Sequence, residues 1–217
     1  MLKTVIFVLF AGVLLVSPAW AQAVPVTKSE AGLAFAALGH TLSFPLPDWL
    51  SAEEQGAADP LPLLESTSRD DGKEAVVEFV PKGQSFDAWT MRYAVRVILQ
   101  PERTLEDLRQ QVVLELSQTC KPDLTGFFQF GEEEPGAPPA LGFACGGFLD
   151  SIAGLSGQGE IAVIAFKRSD KGLATIVEEW RGPAFDPSAP ASWPIATTIV
   201  QNRADRLHAA SELQATE

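Results

Sequence analysis

The sequence predicts an α+β fold, a mainly antiparallel sheet with helices packed on it in an α/β/α sandwich. Three observations predict it. Runs of alternating apolar and polar residues, which are typical of half-buried strands, recur along the chain. Short segments containing Gly, Asp or Pro join most of these runs and favour hairpins. Two further stretches, near the middle and at the carboxyl end, have the apolar spacing of helices instead.

An export signal is predicted at the amino terminus. Lys3 precedes an apolar run from Val5 to Val16 that is too short to span a bilayer. Residues 17–21, SPAWA, then combine a helix-breaking proline with small residues where a signal peptidase cleaves. We therefore expect residues 1–21 to be a signal peptide that is cleaved before Gln22. The mature protein is expected to be periplasmic or secreted, without a stable membrane anchor.

The remaining chain is expected to form one domain. Residues 22–31 lack periodicity and predict a flexible lead-in. Residues 32–217 are long enough for a single α+β domain with one core. Within it, residues 51–74 mix acidic, Pro, Gly and Ser residues, which indicates a loop insertion at the surface.

Strands dominate the first half of this domain. A hairpin is predicted around Gly39-His40, because polar and apolar residues alternate after it. Residues 75–80 and 89–99 alternate in the same way, and the second of these runs begins its apolar face at Trp89.

The connection between those two runs, PKGQSFDA, leaves two interpretations open. In the first, Trp89 caps the core at the end of a wide hairpin, since burying an indole ring is strongly stabilising. In the second, Lys82, Gln84, Asp87 and Trp89 form a loop that binds a partner or a ligand.

A helix should follow from Thr104, a candidate N-cap with acidic residues in the next turn. Leu105, Leu108, Val112 and Leu116 recur at helical spacing and predict its buried side. The elements expected after it are strands near residues 127–130, 140–150, 159–168 and 173–181 and a closing helix over about residues 195–213.

Cys120 and Cys145 are the two cysteines of the sequence. An exported protein meets an oxidising compartment, where such a pair is expected to form a disulfide. A redox or metal site would require C-x-x-C spacing or nearby histidines, and this pair has neither.

Composition and motifs argue against several functions. A formal net charge of −12 disfavours nucleic acid, whose phosphates bind clustered Lys and Arg. His40 and His208 are the two histidines. GLSGQG at 154–159 lacks the second glycine of a nucleophile elbow, because Gln158 stands in its place. GQGEIA at 157–162 leads into a predicted strand and so lacks the strand–turn–helix context of a dinucleotide fingerprint. We expect no cofactor, no metal and no catalytic residue recognisable from the sequence.

The stretch LSFPLPDW at residues 42–49, followed by a hairpin, a central helix, more antiparallel strands and a closing helix, resembles PsbP-like α/β/α domains. The similarity in element order covers most of the mature chain, and the insertion at 51–74 departs from it. The resemblance implies an accessory or binding module, with no catalytic residues to carry over.

Two functional hypotheses follow. The first is a non-catalytic envelope protein that binds a partner protein or a small ligand, through the exposed face of the sheet or the 81–88 connection. The second is a hydrolase whose carboxylates gather in a cleft near Glu178 or Asp150.

Overall fold

The computed structural model describes residues 26–132 and 138–216, so the predicted signal peptide lies outside the described residues. The strands in these ranges are β1 Val26–Ser29, β2 Gly32–Ala37, β3 His40–Phe44, β4 Leu64–Asp70, β5 Glu74–Pro81, β6 Met91–Ile98, β7 Thr125–Phe130, β8 Ala140–Cys145, β9 Gln158–Arg168, β10 Leu173–Pro183 and β11 Glu212–Ala215. The α-helices are α1 Ala52–Gln55, α2 Leu105–Ser117 and α3 Thr197–Ala210.

The strands form two antiparallel sheets. A small sheet has the order β1-β2-β3-β11, and a large sheet has the order β4-β5-β6-β10-β9-β8-β7. Every neighbouring pair is antiparallel. We call the face of the large sheet that is turned toward the small sheet the inner face, and the opposite face the outer face.

The predicted sandwich of helices on a sheet is wrong, because the fold is β-rich and built on two sheets. The small sheet, together with α3, covers the inner face of the large sheet. Three strands account for the difference: β1 lies in the expected lead-in, β4 in the expected loop insertion, and β11 begins at the end of the range expected to be helical. All three are edge strands rich in polar residues. Backbone hydrogen bonds hold such strands in the sheet, so their sequences do not show the apolar alternation by which strands are predicted.

The core between the two sheets is centred on three aromatic rings. Phe44 of β3 lies 6.4 Å from Phe79 of β5 and 5.7 Å from Tyr93 of β6, between ring centroids. Tyr93 is fully buried, and its hydroxyl donates a hydrogen bond to the carbonyl oxygen of Pro45 at 2.9 Å. That bond fixes the LSFPLPDW stretch against the large sheet.

Helix α2 packs on the outer face at the β8–β9 end of the large sheet. Its start was predicted correctly: Thr104 accepts a hydrogen bond from the Asp107 amide, and the Asp107 carboxylate accepts one from the Thr104 amide. The predicted disulfide between Cys120 and Cys145 is confirmed, with the two Cα atoms 5.6 Å apart. It joins the segment after α2 to strand β8.

Candidate ligand-binding site

The outer face carries a row of charged side chains beside α2. Alternation along each strand places these residues on one face, opposite the aromatic core. The row consists of Arg69, Glu74, Glu78, Arg92, Arg96, Glu160, Glu179 and Arg181. Four arginines alternate with four glutamates, so the row has no net charge of its own.

Arg92 lies at the centre of this row. Its guanidinium donates to both carboxylate oxygens of Glu179, which faces it across the β6–β10 pair, and to Glu78 of β5 at 3.0 Å. Burial would lower the pKa of Arg92, but the carboxylates of Glu179, Glu160 and Glu78 outweigh it and hold that pKa above its usual value. The guanidinium is therefore permanently charged and held in one orientation.

Glu160 lies at one end of the row and is 4% exposed. One of its carboxylate oxygens accepts hydrogen bonds from Arg181 Nη2 at 2.7 Å and Nε at 3.1 Å. Burial, with a further contribution from the neighbouring Glu179 carboxylate, raises the pKa of Glu160 to about 7. Sequence reasoning did not single this residue out.

Trp89 covers this end of the row. The Arg181 guanidinium lies 3.6 Å from the centroid of its ring and the Arg92 guanidinium 4.8 Å, both within the range of cation–π attraction. The ring is buried, yet it belongs to neither apolar cluster of the described residues. It therefore packs on the charged outer face rather than capping the core between the sheets.

Of the other three residues of the predicted loop, two bind neighbouring segments and one is exposed. Lys82 Nζ donates to the Pro62 carbonyl oxygen at 2.8 Å. Gln84 and Thr90 exchange two hydrogen bonds, of 3.0 and 2.7 Å. Asp87 is exposed. The structure thus brings Trp89 to the charged row, while Lys82 and Gln84 bind neighbouring segments.

Between α2 and the outer face lies a groove of about 240 Å³, which we call the outer-face groove. Its apolar walls are Val112 and Leu116 of α2 and Val76, Ala94, Ala162, Ile164 and Val177 of the sheet. Its polar lining is Arg69, Glu78, Arg92, Arg96, Glu115, Thr175 and Glu179.

Arg96 offers the groove a donor. Its Nη2 donates to Glu74, which also accepts from the exposed Arg69. Its Nε is buried and has no hydrogen-bond partner among the described residues. Buried donors are nearly always satisfied in folded proteins, so this N–H is a natural contact point for a bound acceptor.

The two carboxylates named for a hydrolase lie in different surroundings. Glu178 is fully buried on the inner face and pairs with Arg203 of α3. The side chain of Asp150 is 82% exposed and pairs with Lys121 at 3.0 Å, next to the disulfide. These two carboxylates therefore have different partners in different parts of the fold.

Residues 26–132 and 138–216 contain no group of three or more His, Cys, Asp or Glu side chains placed to hold a metal ion. None of the helices in those ranges has the length and apolar character needed to cross a membrane.

The chain matches no protein-family model, and a search of curated proteins finds no relative. The resemblance to PsbP-like domains stays a prediction.

Proposed function

We propose that the protein is an exported, non-catalytic binding module that holds a small amphipathic ligand in the outer-face groove. The observation that carries the proposal is the buried Arg96 Nε–H, which lacks a partner among the described residues and lines a groove with mostly apolar walls. Apolar walls with a few placed polar groups are typical of small-molecule sites. The ligand chemistry that fits is a short hydrocarbon body ending in a hydrogen-bond acceptor.

The size of the groove favours a small ligand over a protein partner. Its volume of about 240 Å³ lies just below the roughly 300–1,000 Å³ typical of drug-sized sites. A helix, about 10 Å across with its side chains, needs a longer and wider channel.

Export is supported by the disulfide, since such bonds persist in oxidising compartments. The predicted signal peptide at residues 1–21 gives the route. Mass spectrometry of the protein purified from envelope fractions should find a chain that begins at Gln22. A chain that begins at Met1 in the cytoplasmic fraction would contradict export.

Calorimetric titration with hexanoate tests the groove, with hexanol as the probe that lacks the charged acceptor. We expect hexanoate to bind at least about tenfold more tightly than hexanol, because charge-assisted hydrogen bonds contribute about 1.5–3 kcal/mol. Arg96→Gln should remove most of that difference, while Glu74 keeps Arg69 as its partner.

Two tryptophan substitutions on α2 provide a matched pair. Val112→Trp fills the groove and should abolish hexanoate binding. Leu114→Trp changes an exposed residue of the same helix, outside the groove, and should leave binding unchanged. Equal effects of the two substitutions would place the ligand elsewhere.

The 81–88 connection is the competing binding surface, and one further variant separates it from the groove. Lys82→Ala, Gln84→Ala and Asp87→Ala combined should leave hexanoate binding intact. Loss of binding in this variant, with Val112→Trp still binding, would assign the site to the loop.

A hydrolase is a second candidate, favoured by the raised pKa of Glu160 beside Glu179. A general acid must reach its substrate, however, and Arg181 and Trp89 cover this carboxyl group. Turnover of chromogenic ester or glycoside substrates that is lost in Glu160→Gln and kept in Glu115→Gln would establish this activity instead.

A further inference from the structure

A second pocket lies on the other side of the large sheet from the outer-face groove. It opens between the turn that contains Asp48 and helix α3, and its volume is about 140 Å³. The residues that line it are Asp48, Ile199, Asn202, Arg203 and Arg206. Neither sequence motifs nor the proposed function accounts for it.

Arg203 is the residue that requires an explanation. It is 2% exposed, and its Nε donates to the fully buried carboxylate of Glu178. The guanidinium lies 5.0 Å from the centroid of the Tyr93 ring, and it and the Tyr93 hydroxyl influence each other's pKa. Both terminal nitrogens, Nη1 and Nη2, are nonetheless buried, and although the guanidinium approaches the Tyr93 hydroxyl, neither nitrogen has a partner with hydrogen-bond geometry in the described part of the chain. Such a pair of N–H groups matches the two oxygens of a carboxylate.

Asp48 supplies the opposite charge at the same pocket. Its backbone amide donates to Glu178 Oε1 at 3.1 Å, so the buried ion pair fixes its position. Burial raises the pKa of the Asp48 carboxyl, and the nearby Arg203 and Arg206 oppose that rise. The side chain is thus an acceptor that lines a pocket otherwise supplied with donors by two arginines and Asn202.

The balance of charge selects among ligands. Two arginines face two carboxylates, those of Glu178 and Asp48, so the site is close to neutral before anything binds. An inorganic dianion would be repelled by both carboxylates. A molecule that carries one carboxylate and one ammonium group adds no net charge and can pair with both kinds of group.

We infer that this pocket binds a small zwitterion of the α-amino-acid class. The ligand carboxylate contacts Nη1 and Nη2 of Arg203, and the ligand ammonium contacts Asp48. Ile199, which is 40% exposed, offers an apolar wall for a short side chain. This site is independent of the outer-face groove and of the ligand proposed there.

The probe for this site is alanine, with acetate and methylammonium as its two halves. Calorimetric titration of the full mature protein should show alanine binding at least about tenfold more tightly than either half. Acetate lacks the charge-assisted contact to Asp48, and methylammonium lacks the one to Arg203. In parallel, alanine should shift the Arg203 Nε–Hε signal in ¹H–¹⁵N spectra, because the guanidinium that binds it carries that proton.

Variants outside the buried ion pair keep the test independent of folding. Asp48→Asn should reduce the affinity for alanine about tenfold, to the level of acetate. Arg206→Gln should weaken the binding of both alanine and acetate, because each carries a carboxylate. Asp205→Asn, an equivalent change at an exposed position of α3 outside the pocket, should leave alanine binding unchanged. Any one of four results would overturn the inference: no shift at Arg203, equal binding of acetate and alanine, equal effects of Asp48→Asn and Asp205→Asn, or tighter binding of inorganic phosphate than of alanine.

Discussion

The carboxyl group of Glu160 is buried next to that of Glu179 and below Arg181, whose guanidinium lies on the ring of Trp89. Desolvation disfavours the charged form of this carboxyl, and the Glu179 charge adds to the effect. Two arginines lower its pKa without restoring the ordinary value. Between about pH 4.5 and about pH 7, the folded protein therefore retains a proton at Glu160 that the unfolded chain releases.

Glu160→Gln tests this at the scale of one residue. Since the folded pKa of about 7 exceeds the ordinary value of 4.5, the contribution of Glu160 to the free energy of unfolding is largest below pH 4.5. It falls as the pH rises to about 7 and is constant above that. Between about pH 4 and about pH 8, the free energy of unfolding of the variant should rise by about 3 kcal/mol relative to that of the wild type.

Urea unfolding at a series of pH values measures this difference. Asp48, whose pKa burial also raises, acts equally in both proteins and cancels from the comparison. Parallel pH profiles for the two proteins would contradict the buried, protonated carboxyl.

Several single residues could be predicted from the sequence, and others could not. The disulfide was predicted because the sequence has two cysteines, which allow one pairing, and the export signal predicts an oxidising compartment. Trp89 was misplaced because strict alternation would put it on the face of Tyr93, whereas β6 begins two residues later, at Met91. Arg203 could not be predicted as a buried residue, because charged residues of a helix are expected on its solvent side. Its burial is explained by the ion pair with the buried Glu178.

At the scale of elements, the disulfide connects the region behind α2 to the large sheet. Both cysteines are fully buried, and they are 25 positions apart in sequence. The link therefore restricts the unfolded chain across the whole segment between the two cysteines, which includes β7.

Cys120→Ala combined with Cys145→Ala should lower the free energy of unfolding by about 3.5 kcal/mol, from the closure of a loop of this length. Urea unfolding of the variant, and of the wild type with a reductant, should give the same midpoint. A loss below about 1 kcal/mol would indicate that the unfolded chain gains little freedom when the bond is absent.

Elements with a strong apolar pattern were predicted well. The expected strands at 75–80 and 89–99 correspond to β5 and β6, and the helix from Thr104 corresponds to α2. The closing helix was expected over about residues 195–213, whereas α3 spans Thr197–Ala210 and buries Val200, Arg203, Ala204 and Leu207. The expected end of this helix was too late, because Ser211 already has an extended backbone and β11 follows it.

For the whole molecule, the ion pair between Glu178 and Arg203 connects the large sheet to α3. Both side chains are almost completely buried, so neither charge is solvated once its partner is removed. Breaking such a pair costs about 3–5 kcal/mol, although replacing both members can be nearly neutral.

Arg203→Met should therefore destabilise the protein by about 3–5 kcal/mol, and the double variant Glu178→Gln, Arg203→Met should recover about 2 kcal/mol or more of that loss. The glutamine introduced at position 178 still accepts the hydrogen bond from the Asp48 backbone amide. Arg69→Met removes a guanidinium whose side chain is 69% exposed and should cost less than about 1 kcal/mol. If the double variant is no more stable than Arg203→Met alone, the loss of stability does not come from the unpaired, buried carboxylate of Glu178.

The fold class was the least predictable feature. Local patterns identified most of the large sheet, but whether helices or a second sheet cover its inner face depends on pairings between distant segments. Those pairings involve strands such as β4, whose alternating polar residues also suit a surface loop. The outer-face groove could not be predicted either, because its lining comes from α2 and five strands whose order in the sheet differs from their order in sequence.

The pairing of β11 with β3, in which Leu213 lies opposite Leu42, spans most of the chain. β3 is synthesised long before β11, and until β11 arrives one side of β3 lacks a neighbour in the small sheet. Completion of the small sheet therefore follows the synthesis of β11, and in the exported protein proposed above it would also follow passage through a translocation channel.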